Sequence, residues 1–283
     1  MVIRRALWRA GRVSAHLATG TLIGLYLGLN TALRSRSRPA PAWLPRCVRW
    51  WHRRLVQTLD ITVQRDGTLV PGCLLIGNHV SWLDIPILGA EGEITFLAKA
   101  DVAAWPVIGW LARLAGTRFI TRGAHQADAV AQQLTADLAA QRTVMLFPEG
   151  TTTDGHTLGR FHPRLFAIAQ QPGVRVQPVA IRYRHRETLA LDGDAPYTGD
   201  DSLLANLGRL IRHPGLVATV QFLEPISAAE GCSRRALAEQ TRCAILTALE
   251  QWEPPHLRPH PALVPVTDCY APPVAGWLEP GAA

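Results

Sequence analysis

The chain has 283 residues, enough for one large α/β domain with a small appendage. Hydrophobic residues make up 48% of it and mean hydropathy is +0.07, greasy for a soluble enzyme. The net charge of +7 is unevenly placed: residues 1–54 hold eleven arginines and no Asp or Glu, which leaves 18 basic and 22 acidic residues, a net of −4, for the rest. That distribution excludes a uniformly basic nucleic-acid binder and fits a basic segment meeting a membrane surface.

In chain order, Val13 to Leu33 has no charged residue apart from a protonatable His16, and arginines flank it on both sides. Its length matches the roughly 20 residues that cross a bilayer as a helix, yet Ser14, Thr19, Thr21, Asn30 and Thr31 dilute its apolarity. A spanning helix and a helix seated in one leaflet both remain open, and arginines at both ends set no orientation. A cleaved signal peptide ranks low, because no small-x-small site precedes the arginine cluster. Gly20, Gly24 and Gly28 predict one face open to close packing by another helix.

After Pro39, Pro41 and Pro45, the residues Leu44, Val48, Trp51, Leu55 and Leu59 fall on one helical face and Arg46, Arg49 and Arg53 on another. With Trp43 and Trp50 at the boundary, this reads as a helix for the headgroup region; packing on the domain is the plainer alternative. Residues 1–58 therefore read as membrane-anchoring helices.

Residues 59–252 read as an α/β domain, with a mixed sheet flanked by helices. Predicted strands are Ile61–Gln64, Cys73–Gly77, Ile94–Ala98, Arg118–Thr121, Val144–Phe147, Val174–Arg182 and Val217–Leu223. Predicted helices lie near 85–90, 105–115, 124–140, 163–170, 201–212 and 233–252. The apolar stretch Trp105 to Leu111 reads as core or as a second membrane contact. Residues 253–283, with eight prolines, read as a tail that is extended on the surface or disordered. Five cysteines without a C-x-x-C pair suggest neither a disulfide framework nor a zinc site.

Four short stretches carry chemistry. Asn78 to Asp84 follows a strand, and Pro86 predicts a helix start just beyond, with Ile85 pushed out of the helical region. On a continuous helix His79 and Asp84 would diverge, but a strand-turn-helix corner brings them together. A carboxylate on one imidazole nitrogen leaves the other free as a base. Gly116 to Arg122 is a strand ending in an arginine, where ligands of open α/β sheets sit. Leu146 to Gly155 is rich in Gly and Thr and offers an anion nest, in which Glu149 can accept hydrogen bonds. Val176-Gln177-Pro178-Val179 is a strand whose proline needs an edge, a bulge or a ligand wall. His156 and His162 have no companions at metal-ligand spacing, so no metal is expected.

Together these four stretches resemble the glycerolipid acyltransferase family typified by 1-acylglycerol-3-phosphate acyltransferases, over about residues 45–226. The resemblance implies acyl transfer from acyl-CoA or acyl carrier protein to a lysolipid hydroxyl, with 1-acylglycerol-3-phosphate giving phosphatidate as the leading reading. It implies His79 as general base and Asp84 as its orienting partner. It implies that Lys99, Arg122, Glu149, Gly150 and Thr151 meet the acceptor, that no cofactor is needed beyond the donor, and that membrane lipids are partners. A bacterial inner membrane, with the site on the cytoplasmic face, is the implied location. Many members continue Glu-Gly-Thr with Arg-Ser; here Thr152 and Thr153 stand there, which makes a lysolipid such as lyso-ornithine lipid a credible acceptor. Two rivals are a serine hydrolase, for which the Gly-x-Ser-x-Gly elbow is missing, and a silent membrane-binding protein on the same fold.

Overall fold

The computed structural model describes residues 2–33, 41–120, 124–199, 201–227 and 232–251. The strands are β1 (Ile61–Asp66), β2 (Leu74–Gly77), β3 (Ile94–Lys99), β4 (Arg118–Ile120), β5 (Thr143–Leu146), β6 (Arg175–His185), β7 (Leu216–Phe222) and β8 (Ile226–Ser227). They form one sheet in the order β1-β7-β6-β2-β5-β3-β4, with β8 added beside β6. β6, β2, β5, β3 and β4 are parallel, whereas β7 and β8 run antiparallel to β6. Every residue of β2, β5 and β7 is buried. This is why these strands read as continuous apolar runs rather than alternating ones.

Helices cover both faces. They are α1 (Val2–Leu33), α2 (Leu44–Thr58), α3 (Asp84–Glu91), α4 (Ala100–Ala103), α5 (Ile108–Leu114), α6 (Ala124–Ala139), α7 (Leu203–Arg212) and α8 (Arg234–Glu250), with a 3-10 helix over Pro163–Gln170. Leu75, Met145, Ile181 and Tyr183 point to the layer containing Leu55, Ile87 and Leu210; Leu74, Ile76, Val144 and Val176 point to Leu134, Phe166 and Ile245. The seven predicted strands are all present. The helix predicted near 105–115 is α5, which starts only at Ile108, beyond Pro106; α4 before it was not predicted, and β8 had no signal in two residues.

Pro178 lies inside the sheet, at a bulge. Val179 pairs with Phe222 but Val176 pairs with Ile226, so two residues of β6 face three of the partner segment. The proline's missing donor falls at that irregularity.

Among the described residues, no helix is long and apolar enough to cross a membrane. The spanning reading of Val13–Leu33 is therefore not supported. The physical reason is visible in α1, which is about 48 Å long at 1.5 Å per residue but buries one side in protein: Val13, His16 and Leu27 are buried. Arg9, 2% exposed, staples α1 to the domain. It donates to Asp60 Oδ2 at 2.7 Å and to the carbonyl of His213, just beyond the last turn of α7, at 2.6 Å, where a cation suits the helix dipole. A Cβ on Gly20 would lie 2.7 Å from the Trp51 indole nitrogen, and one on Gly24 2.4 Å from the Trp110 ring, so these two glycines admit α2 and α5. Gly28 has no such neighbour. Trp110 thus places part of the 105–111 stretch against α1. The Pro-rich tail lies outside the described residues.

Candidate active site

β2 delivers Asn78 and His79 to the carboxyl edge of the sheet, and α3 starts five residues later at Asp84. The chain turns between them in a tight corner. Asp84 N donates to Ser81 O at 3.1 Å and Ile85 N to Trp82 O at 3.3 Å. Ile85 is helical, against expectation: Pro86 sits in the first turn, where its missing N–H breaks no established ladder.

The corner brings the two predicted partners together. His79 Nδ1 lies 2.7 Å from Asp84 Oδ2. The same oxygen accepts the N–H groups of Val80 at 2.9 Å and Ser81 at 3.1 Å, and Oδ1 accepts the Tyr183 hydroxyl at 2.6 Å. Asp84 is fully buried and faces four donors, so it acts purely as an acceptor and fixes the proton of His79 on Nδ1. Nε2 is left with its lone pair, on a side chain 21% exposed. Phe147 stacks on the imidazole, centroids 4.1 Å apart and planes 14° apart, which sets the ring plane. Burial, together with the Asp84 charge, pushes the Tyr183 phenol well above its ordinary pKa, so it stays a donor.

Asn78 locks the strand end from the other side: its amide exchanges hydrogen bonds with Ile181 O at 2.9 Å and Ile181 N at 2.8 Å. Glu149 closes the third side. Its Oε1 accepts His79 N at 2.8 Å and its Oε2 accepts Gly159 N at 2.7 Å. Burial raises the Glu149 pKa, and those two N–H groups partly offset the rise. Glu149 is therefore committed to main chain rather than aimed into open space. Gly159 must lack a side chain, since a Cβ would lie 2.6 Å from that carboxylate.

Gly150 and Thr151 are exposed at the rim, with Gly150 in the left-handed region at φ +68 that glycine favours. Thr153 N donates to His79 O at 2.8 Å, and the Thr152 hydroxyl donates to the Tyr197 carbonyl. Lys99 ends β3 on the same sheet edge, exposed and two strands from β2, about 10 Å away at normal strand spacing. Arg122 lies outside the described residues. Asn78 and Phe147 lie within the predicted stretches but carried no role there, and Tyr183, Gly159 and Tyr197 escaped the sequence reading; Tyr183 is 99 residues from its partner and carries no local signal.

A profile of the acyltransferase family matches residues 60–182. The chain is 45% identical over 240 residues to the lyso-ornithine lipid O-acyltransferase of Pseudomonas aeruginosa, covering 83% of this chain and 92% of that one. The chain belongs to the acyltransferase family. As such it is an enzyme. This acyltransferase is also 34% identical over 192 residues to the 1-acyl-sn-glycerol-3-phosphate acyltransferase of Neisseria meningitidis, covering 66% of this chain and 74% of that one. Its mixed α/β fold matches the crystal structure of the 1-acyl-sn-glycerophosphate acyltransferase of Thermotoga maritima at a TM-score of 0.62, covering 88% and 96% of the two chains. At 18% identity that likeness is one of fold alone.

Proposed function

We propose that this acyltransferase moves an acyl group from a thioester donor to the free hydroxyl of a lysolipid, and that the lysolipid is lyso-ornithine lipid. The observation that carries the reaction is the His79 ring, held by Asp84 through Nδ1 with Nε2 free at the surface. Nε2 takes the acceptor hydroxyl proton as its oxygen bonds to the thioester carbonyl carbon. The tetrahedral intermediate then breaks its C–S bond, and the departing sulfur takes the proton back from the imidazolium. Val80 N and Ser81 N already serve Asp84, so the developing oxyanion relies on other donors.

Two features favour the acceptor. The Pseudomonas aeruginosa relative is matched over nearly its full length. Thr152, where many members of the family have arginine, spends its hydroxyl on Tyr197 and offers a phosphate no charge. The second reading, 1-acylglycerol-3-phosphate, is favoured by the Neisseria relative.

The N-terminal helices suit a seat in one leaflet. Leu22, Leu25, Tyr26 and Leu29 form an exposed stripe on α1, and Trp43 and Trp50 are exposed nearby. Lys99, Arg122, Gly150 and Thr151 remain our proposed acceptor contacts. A panel of lysolipids with one labelled acyl donor tests the assignment. Lyso-ornithine lipid is expected to give the highest kcat/KM; preference for 1-acylglycerol-3-phosphate would overturn the acceptor, and no transfer to any lysolipid would overturn the reaction.

A further inference from the structure

On the side of the sheet away from α3, a cavity of about 440 Å³ opens between the 158–163 segment and α8. Its walls include Arg160, Phe161, Pro163, Arg235, Glu239 and Arg242. Three guanidinium groups face one carboxylate. Glu239 is largely exposed and pairs with Arg242 at 3.5 Å. Arg160 and Arg235 are exposed and have no hydrogen-bond or ionic partner among the described residues. The cavity is thus net positive, and planar guanidinium groups match phosphate oxygens better than any other side chain.

The cavity is wired to the catalytic corner. Arg242 donates to the carbonyls of Gly159 at 3.0 Å and Leu158 at 3.1 Å. The Leu158–Gly159 peptide, whose carbonyl meets Arg242, donates its N–H to Glu149, which holds His79 N. The direction of α8 adds to this. Its start lies beside the end of the 3-10 helix, where Gln170 Nε2 donates to Cys232 O, just before β6 begins. Arg242, two turns on, reaches the loop that closes the carboxyl edge. From Arg235 to Arg242 the helix rises about 10 Å, so the basic cavity runs down from the reaction edge along one face of α8. Buried Phe161, with Pro163 and Ala238, supplies an apolar wall beside the charges.

We propose that this cavity binds the phosphate end of a pantetheine thioester donor, with the long neutral arm running up to the carboxyl edge and placing the thioester carbonyl at His79. This rests on the proposed acyl transfer from a thioester. Coenzyme A and acyl carrier protein share the pantetheine phosphate, so the same cations serve either.

The test is the double variant Arg160→Glu and Arg235→Glu in the full-length enzyme, assayed with acyl-CoA and with acyl carrier protein at fixed lysolipid, and the reverse. Arg242 is left intact because it supports Gly159. The expected result is a donor KM raised about tenfold or more for both donors, the scale of losing charge-assisted hydrogen bonds, with kcat and acceptor KM unchanged; Arg→Lys at both positions should recover part of it. An unchanged donor KM would overturn the proposal. A rise for acyl carrier protein alone would also overturn it, in favour of contact with that protein's acidic surface. Calorimetric titration with free coenzyme A needs no turnover: binding to the wild type and loss in the double variant are expected, and equal binding by both, or none by either, refutes the cavity's role. A wild type that binds coenzyme A yet transfers no acyl group would instead refute the reaction.

Discussion

Two histidine–aspartate pairs stand in this molecule at nearly the same separation. His79 Nδ1 lies 2.7 Å from Asp84, and His213 Nε2 lies 2.8 Å from Asp192. The difference is at the other nitrogen. His213 Nδ1 accepts Gly215 N at 3.1 Å, and the side chain is 4% exposed, so both nitrogens are spent. Asp192 also accepts the N–H groups of Asp194 and Ala195; burial pushes its pKa up, but His213 and those amides bring it below the ordinary value. His213 is a fastener for the loop that follows β6, whereas His79 keeps one nitrogen free at the surface. A short contact to a carboxylate does not make a base; an unoccupied second nitrogen at an open edge does.

The comparison breaks most sharply at His79. His79→Ala is expected to lower kcat about 10⁴-fold with little change in melting temperature, and Asp84→Asn about 10³-fold by losing control of the tautomer; steady-state rates and thermal melts on the same preparations check both. If His79→Ala retained activity, the base would have to be another group.

A third kind of histidine sharpens the contrast. His52 is buried between α2 and α3 without any carboxylate, and burial, aided by His16, holds its pKa down to about 4. An unfolded histidine titrates near 6.5. Between those values the unfolded chain binds the proton and the folded chain does not, so stability falls as pH drops from 6.5 towards 4, by about 3 kcal/mol for this group. His16, held near 4 mainly by burial, adds in the same direction. Urea denaturation across that range should show the slope, and His52→Leu should remove its share.

At His213 the expected effects are the reverse of those at His79. His213→Ala should cost about 2 kcal/mol of stability, because Asp192 and Gly215 N lose a buried partner, while kcat stays within a few-fold. Tyr183→Phe is the mildest change. Removing one of four donors from Asp84 should slow transfer by roughly tenfold or less, about 1 kcal/mol, with the donor and acceptor KM values unaffected.

The catalytic corner was legible from local signals. An apolar run ended in Asn-His, and a proline eight residues after the asparagine marked the helix start, so a turn had to lie between them. Strands such as β2 and β5 were legible because burial on both faces demands apolar runs. α1 misled on one point: its length and apolarity permit a spanning helix, but Arg9, His16, Gly20 and Gly24 face protein, which periodicity shows without naming the partner. Glu149 read as a group open to ligand, and its commitment to His79 N and Gly159 N depends on a contact 70 residues away in sequence.

By itself the sequence determined the alternation of strands and helices, the His79–Asp84 corner and the basic, aromatic N-terminus, because each depends on residues within a turn or two of one another. Only the tertiary structure decided that Tyr183 and Glu149 hold the corner from two sides, that Thr152 is spent on Tyr197, and that of two equally close histidine–aspartate pairs only one is open. Those outcomes depend on which strands become neighbours in the sheet, and strand order is set by packing across the whole domain rather than by any local run of residues.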